Sequence, residues 1–211
     1  CQVDTIHNYR DPLFGGYMPD PGARGLEELA RRVKDTGADL GLALDGDADR
    51  FGIVDSDGTY IKANEVLYLI MAHLLQHRKF RGPVARTVAT THNLDNLAAT
   101  HNLEIIETPV GFKYIAQALM EKACILGGEE SGGMSIRGHI PEKDGILAAA
   151  LVAELRAVQG RSLAAVLNDL QQHYGRLLSR RTDIEVTPAV KTRVLKAMPH
   201  LAPSSLAGVP V

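Results

Sequence analysis

The chain has 211 residues, 23 of them basic and 25 acidic, for a formal charge of −2. That balance gives neither the basic field that nucleic acid requires nor an acidic tail. With aromatics at 5% and no Trp, stacking platforms for bases are also excluded. An apolar share of 45% is ordinary for a globular protein of one large or two small domains. The nearest approach to a membrane span, the apolar run from Val66 to Ala72, stops at His73. Cys1 and Cys124 are the only cysteines and have no metal-ligand spacing, which suits a reducing, cytoplasmic setting.

Strand and helix patterns alternate along the chain, the signature of an α/β fold. A helix over 25–36 carries Leu26, Leu29, Ala30 and Val33 at helical spacing and stops at Gly37. Strands at 39–44 and 51–55 follow, the second closed by the Asp57-Gly58 turn. The segment 63–79 is apolar on most faces and reads as a helix packed on a sheet. Strands are expected at 86–90, 104–107, 123–127, 134–137 and 182–186. Further helices are expected at 112–122, 144–159, from Ser162 to near Gly175, and from the Thr187-Pro188 cap to about Met198. The basic, Gly/Pro-punctuated stretch Arg78–Pro83 is the best domain boundary, dividing residues 1–79 from 84–180. No Met precedes Cys1, and a strand and capped helix begin only shortly before Val211, so the chain is expected to be an internal piece of a longer protein.

Residues 45–50 read Asp-Gly-Asp-Ala-Asp-Arg, on a tight loop between two strands. Open α/β sheets place their ligand sites at the carboxyl ends of strands. Three like charges within roughly 6–8 Å repel by about a kcal/mol per pair or more at an effective dielectric near 20. A divalent cation removes that cost, and an oxygen-only donor set suits Mg²⁺ or Ca²⁺ rather than zinc. Asp45, Asp47 and Asp49 are the candidate metal ligands, and Arg50 beside them suits a phosphate that touches both the metal and the guanidinium. An EF-hand would need Gly at its sixth position and Glu at its twelfth, where Arg50 and Ser56 stand. An ordinary solvated acidic turn is the competing reading, and it leaves Arg50 unexplained.

Three other loops suit ligands. In Gly127–Gly133, the Glu129 carboxylate and Ser131 hydroxyl would project the same way from an extended segment and could grip neighbouring sugar hydroxyls; a flexible glycine hairpin in water is the plainer alternative. In Gly138–Gly145, Asp144 can cap the next helix while His139 and Lys143 stay free for chemistry or phosphate, although lone His and Lys residues usually face solvent. In Thr108–Lys113, Gly111 at a helix start could offer amide donors to an anion, or simply form a turn.

Taken in this order and spacing, the loops resemble those of the α-D-phosphohexomutase superfamily, enzymes that interconvert hexose 1-phosphates and 6-phosphates. The matching stretches are Asp11–Gly16 with Pro19-Asp20-Pro21, the acidic loop Asp45–Arg50, Thr108–Lys113, the Gly128–Gly133 loop and Lys143-Asp144-Gly145. The resemblance implies consecutive three-layer α/β domains with mixed sheets flanked by helices. Residues 1–79 would be most of the second, metal-binding domain, 84–180 the third, sugar-binding domain, and 182–211 a linker and the start of the fourth. The first domain and the rest of the fourth would be its partners, together with hexose phosphates and a hexose bisphosphate.

The resemblance also implies roles. Asp45, Asp47 and Asp49 would bind Mg²⁺, and Arg50 would stabilise charge near the transferring phosphoryl group. Glu129 and Ser131 would hold sugar hydroxyls, with Thr108 and Gly111 in the neighbouring substrate loop. Lys143 matches a lysine near the reacting hydroxyl in the phosphoglucomutase-like branch, with His139 nearby. Phosphomannomutase-type relatives carry a histidine where Gly133 stands, so glucose is favoured over mannose. The family reaction runs through a phosphoserine and a bisphosphate intermediate, but no such serine loop occurs here. Thr91-His92-Asn93 only echoes it, and the chain alone is expected to be inactive. A non-catalytic module that binds metal and sugar phosphate is the alternative.

Overall fold

The computed structural model describes residues 2–178, 184–206 and 208–210. Residues through Leu177 form one compact unit, and those from Leu178 onward form a second.

In the first unit, a 3-10 turn over Ala23–Leu26 leads into α1 (Glu27–Thr36), which ends at Gly37 in the left-handed conformation. Strands β1 (Leu40–Leu44), β2 (Phe51–Asp55) and β3 (Tyr60–Ile61) make an antiparallel sheet in that order. Helix α2 (Ala63–Gln76) follows, with every residue from Val66 to Leu75 buried. This accounts for its near-continuous apolar sequence: a helix enclosed on all sides has no face to give to polar residues. The large apolar side chains contribute roughly 1.5–3 kcal/mol each on leaving water. Its one hydroxyl, on Tyr68, donates to the Leu170 carbonyl at 3.1 Å, and burial pushes the phenol up to about 12.

A second, mixed sheet has the order β5 (Ile105–Thr108), β4 (Val84–Thr87), β6 (Leu126–Gly128), β7 (Met134–Ile136). β4 runs parallel to β5 and β6, and β7 returns antiparallel to β6. Helix α4 (Phe112–Lys122) packs on β4, β5 and β6. Helices α3 (Asn93–Thr100), α5 (Gly145–Gln159) and α6 (Leu163–Tyr174) gather around α2. Phe51, Ile53 and Ile61 of the first sheet share one continuous core with α2, Val84, Leu126 and Met134.

The α/β class with helix-flanked sheets agrees with the expectation, and the second sheet is mixed as expected. Helix α3 is not among the expected elements. The strand expected at 86–90 lies instead at Val84–Thr87, because Thr90 turns back to give its amide to the Thr87 carbonyl at 3.0 Å. The second unit holds α7 (Pro188–Ala197), capped by the Thr187 hydroxyl, and the short hairpin of β8 (Ser205–Leu206) and β9 (Val209–Pro210). Of the strand expected at 182–186, residues 182 and 183 lie outside the described residues, and 184–186 form no strand. Among the described residues, no helix is long and apolar enough to cross a membrane.

Candidate active site

The acidic loop joins β1 to β2 and is held at both ends. The amide of Asp45 donates to the Arg50 carbonyl at 3.3 Å, and that of Ala48 donates to the Asp45 carbonyl at 3.2 Å. Ala48 takes φ 62°, a sparsely populated conformation for a residue with a side chain. The bend gathers the three carboxylates, which each offer an oxygen within 4.8 Å of the others. Hard, oxygen-only donors this close fit a small divalent cation.

Arg50 turns back over the loop. Its Nε lies 2.7 Å from Asp45 Oδ2 and 3.7 Å from Asp49, and its Nη1 is 3.6 Å from Asp20. The Asp45 side chain is only 1% exposed. Burial works against its charge, but the Arg50 amide and guanidinium outweigh it and hold the carboxyl below the usual range. The hydrogen bond to Asp45 in turn raises Arg50. Asp47 is exposed, and among the described residues it makes no side-chain hydrogen bond or ion pair. A recess of about 270 Å³ opens beside the loop, with Met18, Pro19 and Asp20 on one wall and Asp45, Asp47 and Arg50 on the other.

The glycine-rich segment between β6 and β7 is a tight turn rather than extended. The Glu129 amide donates to the Gly133 carbonyl at 2.9 Å, and the Gly132 amide returns to the Glu129 carbonyl at 3.1 Å. Glu129 is buried, and burial raises its carboxyl above the usual value against the opposing pull of the Gly111 amide, Lys143 and the Ser131 hydroxyl. The Gly111 amide is therefore committed to Glu129 Oε1, at 3.0 Å, instead of facing an anion. Thr108 is buried as well, its hydroxyl donating to the carbonyls of Arg86 and Pro109. Glu130, which no sequence pattern singles out, accepts from the Thr87 hydroxyl at 3.1 Å and ties the turn to β4.

Lys143 and His139 are not free. The Lys143 Nζ lies 2.5 Å from Asp49 Oδ2, a bond that raises the lysine above its usual value, with Glu129 adding to the effect. His139 Nε2 is 2.8 Å from Asp144 Oδ2, while Asp144 Oδ1 accepts from the Leu147 amide at the start of α5. Burial disfavours the Asp144 charge, yet the Leu147 amide and His139 lower its carboxyl overall. His139 thus braces the helix cap.

These contacts bring the loops together. Arg50 and Gly133 form an isolated antiparallel bridge. The Gly145 amide donates to the Ala48 carbonyl at 3.0 Å. The acidic loop, the 128–133 turn, the 138–145 segment and the start of α4 are thus tied to one another by direct contacts. Gly133 and Gly145 owe their importance to contacts between loops, which no local sequence pattern announces.

A helix-flanked α/β scaffold thus carries an acidic loop joined to a carboxylate-bearing glycine turn. The model of the phosphoglucomutase/phosphomannomutase α/β/α domain II matches residues 1–58, and that of domain III matches 62–174. The chain belongs to the phosphoglucomutase/phosphomannomutase family. The two matches meet ahead of α2. A phosphoglucomutase/phosphomannomutase of Thermococcus kodakarensis is 30% identical over 82% of this chain and 38% of its own length. A phosphoglucosamine mutase of Acetivibrio thermocellus is 32% identical over 81% of this chain and 38% of its own. The crystal structure of a Thermus thermophilus protein assigned as a phosphomannomutase superposes with TM-score 0.74 at 33% identity, covering 78% of this chain and 38% of that one. The chain thus spans well under half the length of the relatives it matches.

Proposed function

We propose that this chain supplies the metal-binding and sugar-binding domains of a phosphohexomutase that interconverts hexose 1-phosphate and hexose 6-phosphate in the cytoplasm. In this reading residues 1–79 make up the metal-binding domain, residues 84–180 the sugar-binding domain, and residues 182–211 begin a further domain. The carrying observation is the direct linkage of the acidic loop to the 128–133 turn through Arg50–Gly133 and to the 138–145 segment through Lys143–Asp49.

In this reading Asp45, Asp47 and Asp49 hold Mg²⁺, which when bound neutralises charge on a transferring phosphoryl group. Arg50, fixed by Asp45, directs its remaining guanidinium N–H groups at the same phosphoryl oxygens. Glu129, oriented by the Gly111 amide, accepts hydrogen bonds from vicinal sugar hydroxyls, and Ser131 both accepts and donates. Lys143 holds a proton at Nζ beside Asp49 and Glu129, where a sugar hydroxyl would approach. His139 contributes by keeping Asp144, and with it the 138–145 segment, in place. The phosphoserine donor and the bisphosphate's second phosphate contacts come from segments outside these residues.

Glucose is the favoured hexose, because Gly133 stands where phosphomannomutase-type sequences carry histidine. Hexosamine phosphate is a second reading, supported by the relatives named phosphoglucosamine mutase. A coupled assay of the parent protein with glucose, mannose and glucosamine phosphates tests both. Turnover of none of the three would overturn the proposal, and the chain alone is expected to turn over none.

A further inference from the structure

The position of Lys143 has a geometric cause. A Cβ on Gly133 would lie 2.5 Å from Lys143 Cδ, 2.8 Å from its Cγ and 3.3 Å from Glu129 Oε2. The absent side chain of Gly133 is therefore the berth of the lysine stem, which passes beside Glu129 and ends on Asp49. The side chains of Lys143 and Asp49 are only 27% and 23% exposed, so the pair is shielded from solvent on most sides.

We propose that Lys143, seated by Gly133, is the built-in counter-cation of the acidic loop, and that a divalent cation on Asp45, Asp47 and Asp49 competes with it for Asp49. Asp49 Oδ2 cannot give its charge in full to both an ammonium 2.5 Å away and a metal ion. Displaced from Asp49, the ammonium has Glu129 as a neighbouring carboxylate, on the side of the 128–133 turn. Occupancy of the metal loop is thereby reported to the sugar-binding turn by one side chain. Gly133 is a positioning residue in this scheme, acting only through Lys143. The inference rests on the metal reading above.

The test is calorimetric titration of the 211-residue chain with Mg²⁺ alone, comparing wild type, Lys143→Met and Gly133→Ala. Methionine keeps the apolar stem and removes the charge. Its Mg²⁺ affinity is expected to rise about three- to tenfold, as for loss of a partly shielded competing ion pair. Gly133→Ala, which crowds the stem out of its berth, should shift affinity the same way; should it fail to fold, Lys143→Met decides alone. The wild-type-to-Met gap should narrow as added salt screens the pair. Equal or weaker binding by Lys143→Met, or a gap unchanged by salt, overturns the inference and leaves the metal reading standing. No Mg²⁺ binding by any of the three chains overturns both.

Discussion

The amide of Gly145 and the carbonyl of Ala48 meet at 3.0 Å, fastening the first residue of α5 to the apex of the acidic loop. A Cβ on Gly145 would stand 2.5 Å from the Arg50 carbonyl oxygen and 2.9 Å from that of Ala48. Neither is a flexible side chain that could yield. The left-handed Ala48 is thus held from outside its own turn, the condition under which strained backbone persists.

Gly145→Ala is accordingly expected to destabilise the chain by about 1–3 kcal/mol, the usual cost of overpacking. It should also blunt the rise in melting temperature produced by Mg²⁺. Urea unfolding with and without Mg²⁺ measures both; an unchanged midpoint would show that the loop and helix can part without cost.

The acidic residues should separate by their partners. Asp47 is exposed and unpartnered among the described residues, so Asp47→Asn should leave metal-free stability within about 0.5 kcal/mol of wild type. It should nonetheless lose most of the Mg²⁺-induced stabilisation. Asp45→Asn removes charge from a buried carboxylate that accepts from the Arg50 amide and Nε, and should cost roughly 1–3 kcal/mol even without metal. Equal metal-free stabilities for the two variants would contradict this division.

Glu129 carries a stability cost with a definite pH dependence. Its carboxyl is raised by burial, so the folded state resists its ionisation. The native state then binds the proton more tightly than the unfolded chain. That contribution is present in full below the unfolded value and is lost as pH rises through the folded one. Glu129→Gln keeps an oxygen for the Gly111 amide and carries no charge. It should be as stable as wild type or more so at pH 7, with the gain shrinking as pH falls through the raised folded value and gone below about 4, the ordinary glutamate range. Hexose phosphate binding should weaken. A variant less stable at pH 7 than at pH 4, relative to wild type, would refute the assignment.

Asp55 gives the sharpest stability prediction. It is fully buried at the end of β2, and its carboxylate accepts from the amides of Leu163 and Ala164, at 3.2 and 2.8 Å, at the start of α6. Asp55→Ala strands the buried Leu163 amide and the part-buried Ala164 amide and should cost about 2–4 kcal/mol, with Asp55→Asn intermediate. Chemical denaturation of the three chains checks the order.

Much of the fold is legible in the sequence because the strongest signals are local. Amphipathic spacing marks the observed ends of α4, and the Asp144 cap marks the start of α5. Helix α3 escapes such reading because it is short and buries mainly Leu94, Leu97 and Ala98, and because Thr91-His92-Asn93 reads as a loop. Its entry depends on Asn93, whose side chain exchanges hydrogen bonds with the Leu177 backbone, a partner 84 residues away. The acidic loop is plain from charge alone. The engagement of Lys143, His139, Gly111 and Thr108 is not, since each is decided by contacts that form only on folding. An aspartate ending a strand, such as Asp55, looks like any turn former until α6 is brought against it.

The reach of Asp55 across more than a hundred residues bears on modularity. It lies in the segment matched by domain II, and the helix it caps lies in the segment matched by domain III. A protease nick near residues 58–62 would therefore leave two pieces that stay associated and melt together. Neither half could be transplanted into a relative without carrying along its counterpart's helix start, so recombination within this family should tolerate exchange of the pair far better than exchange of either member.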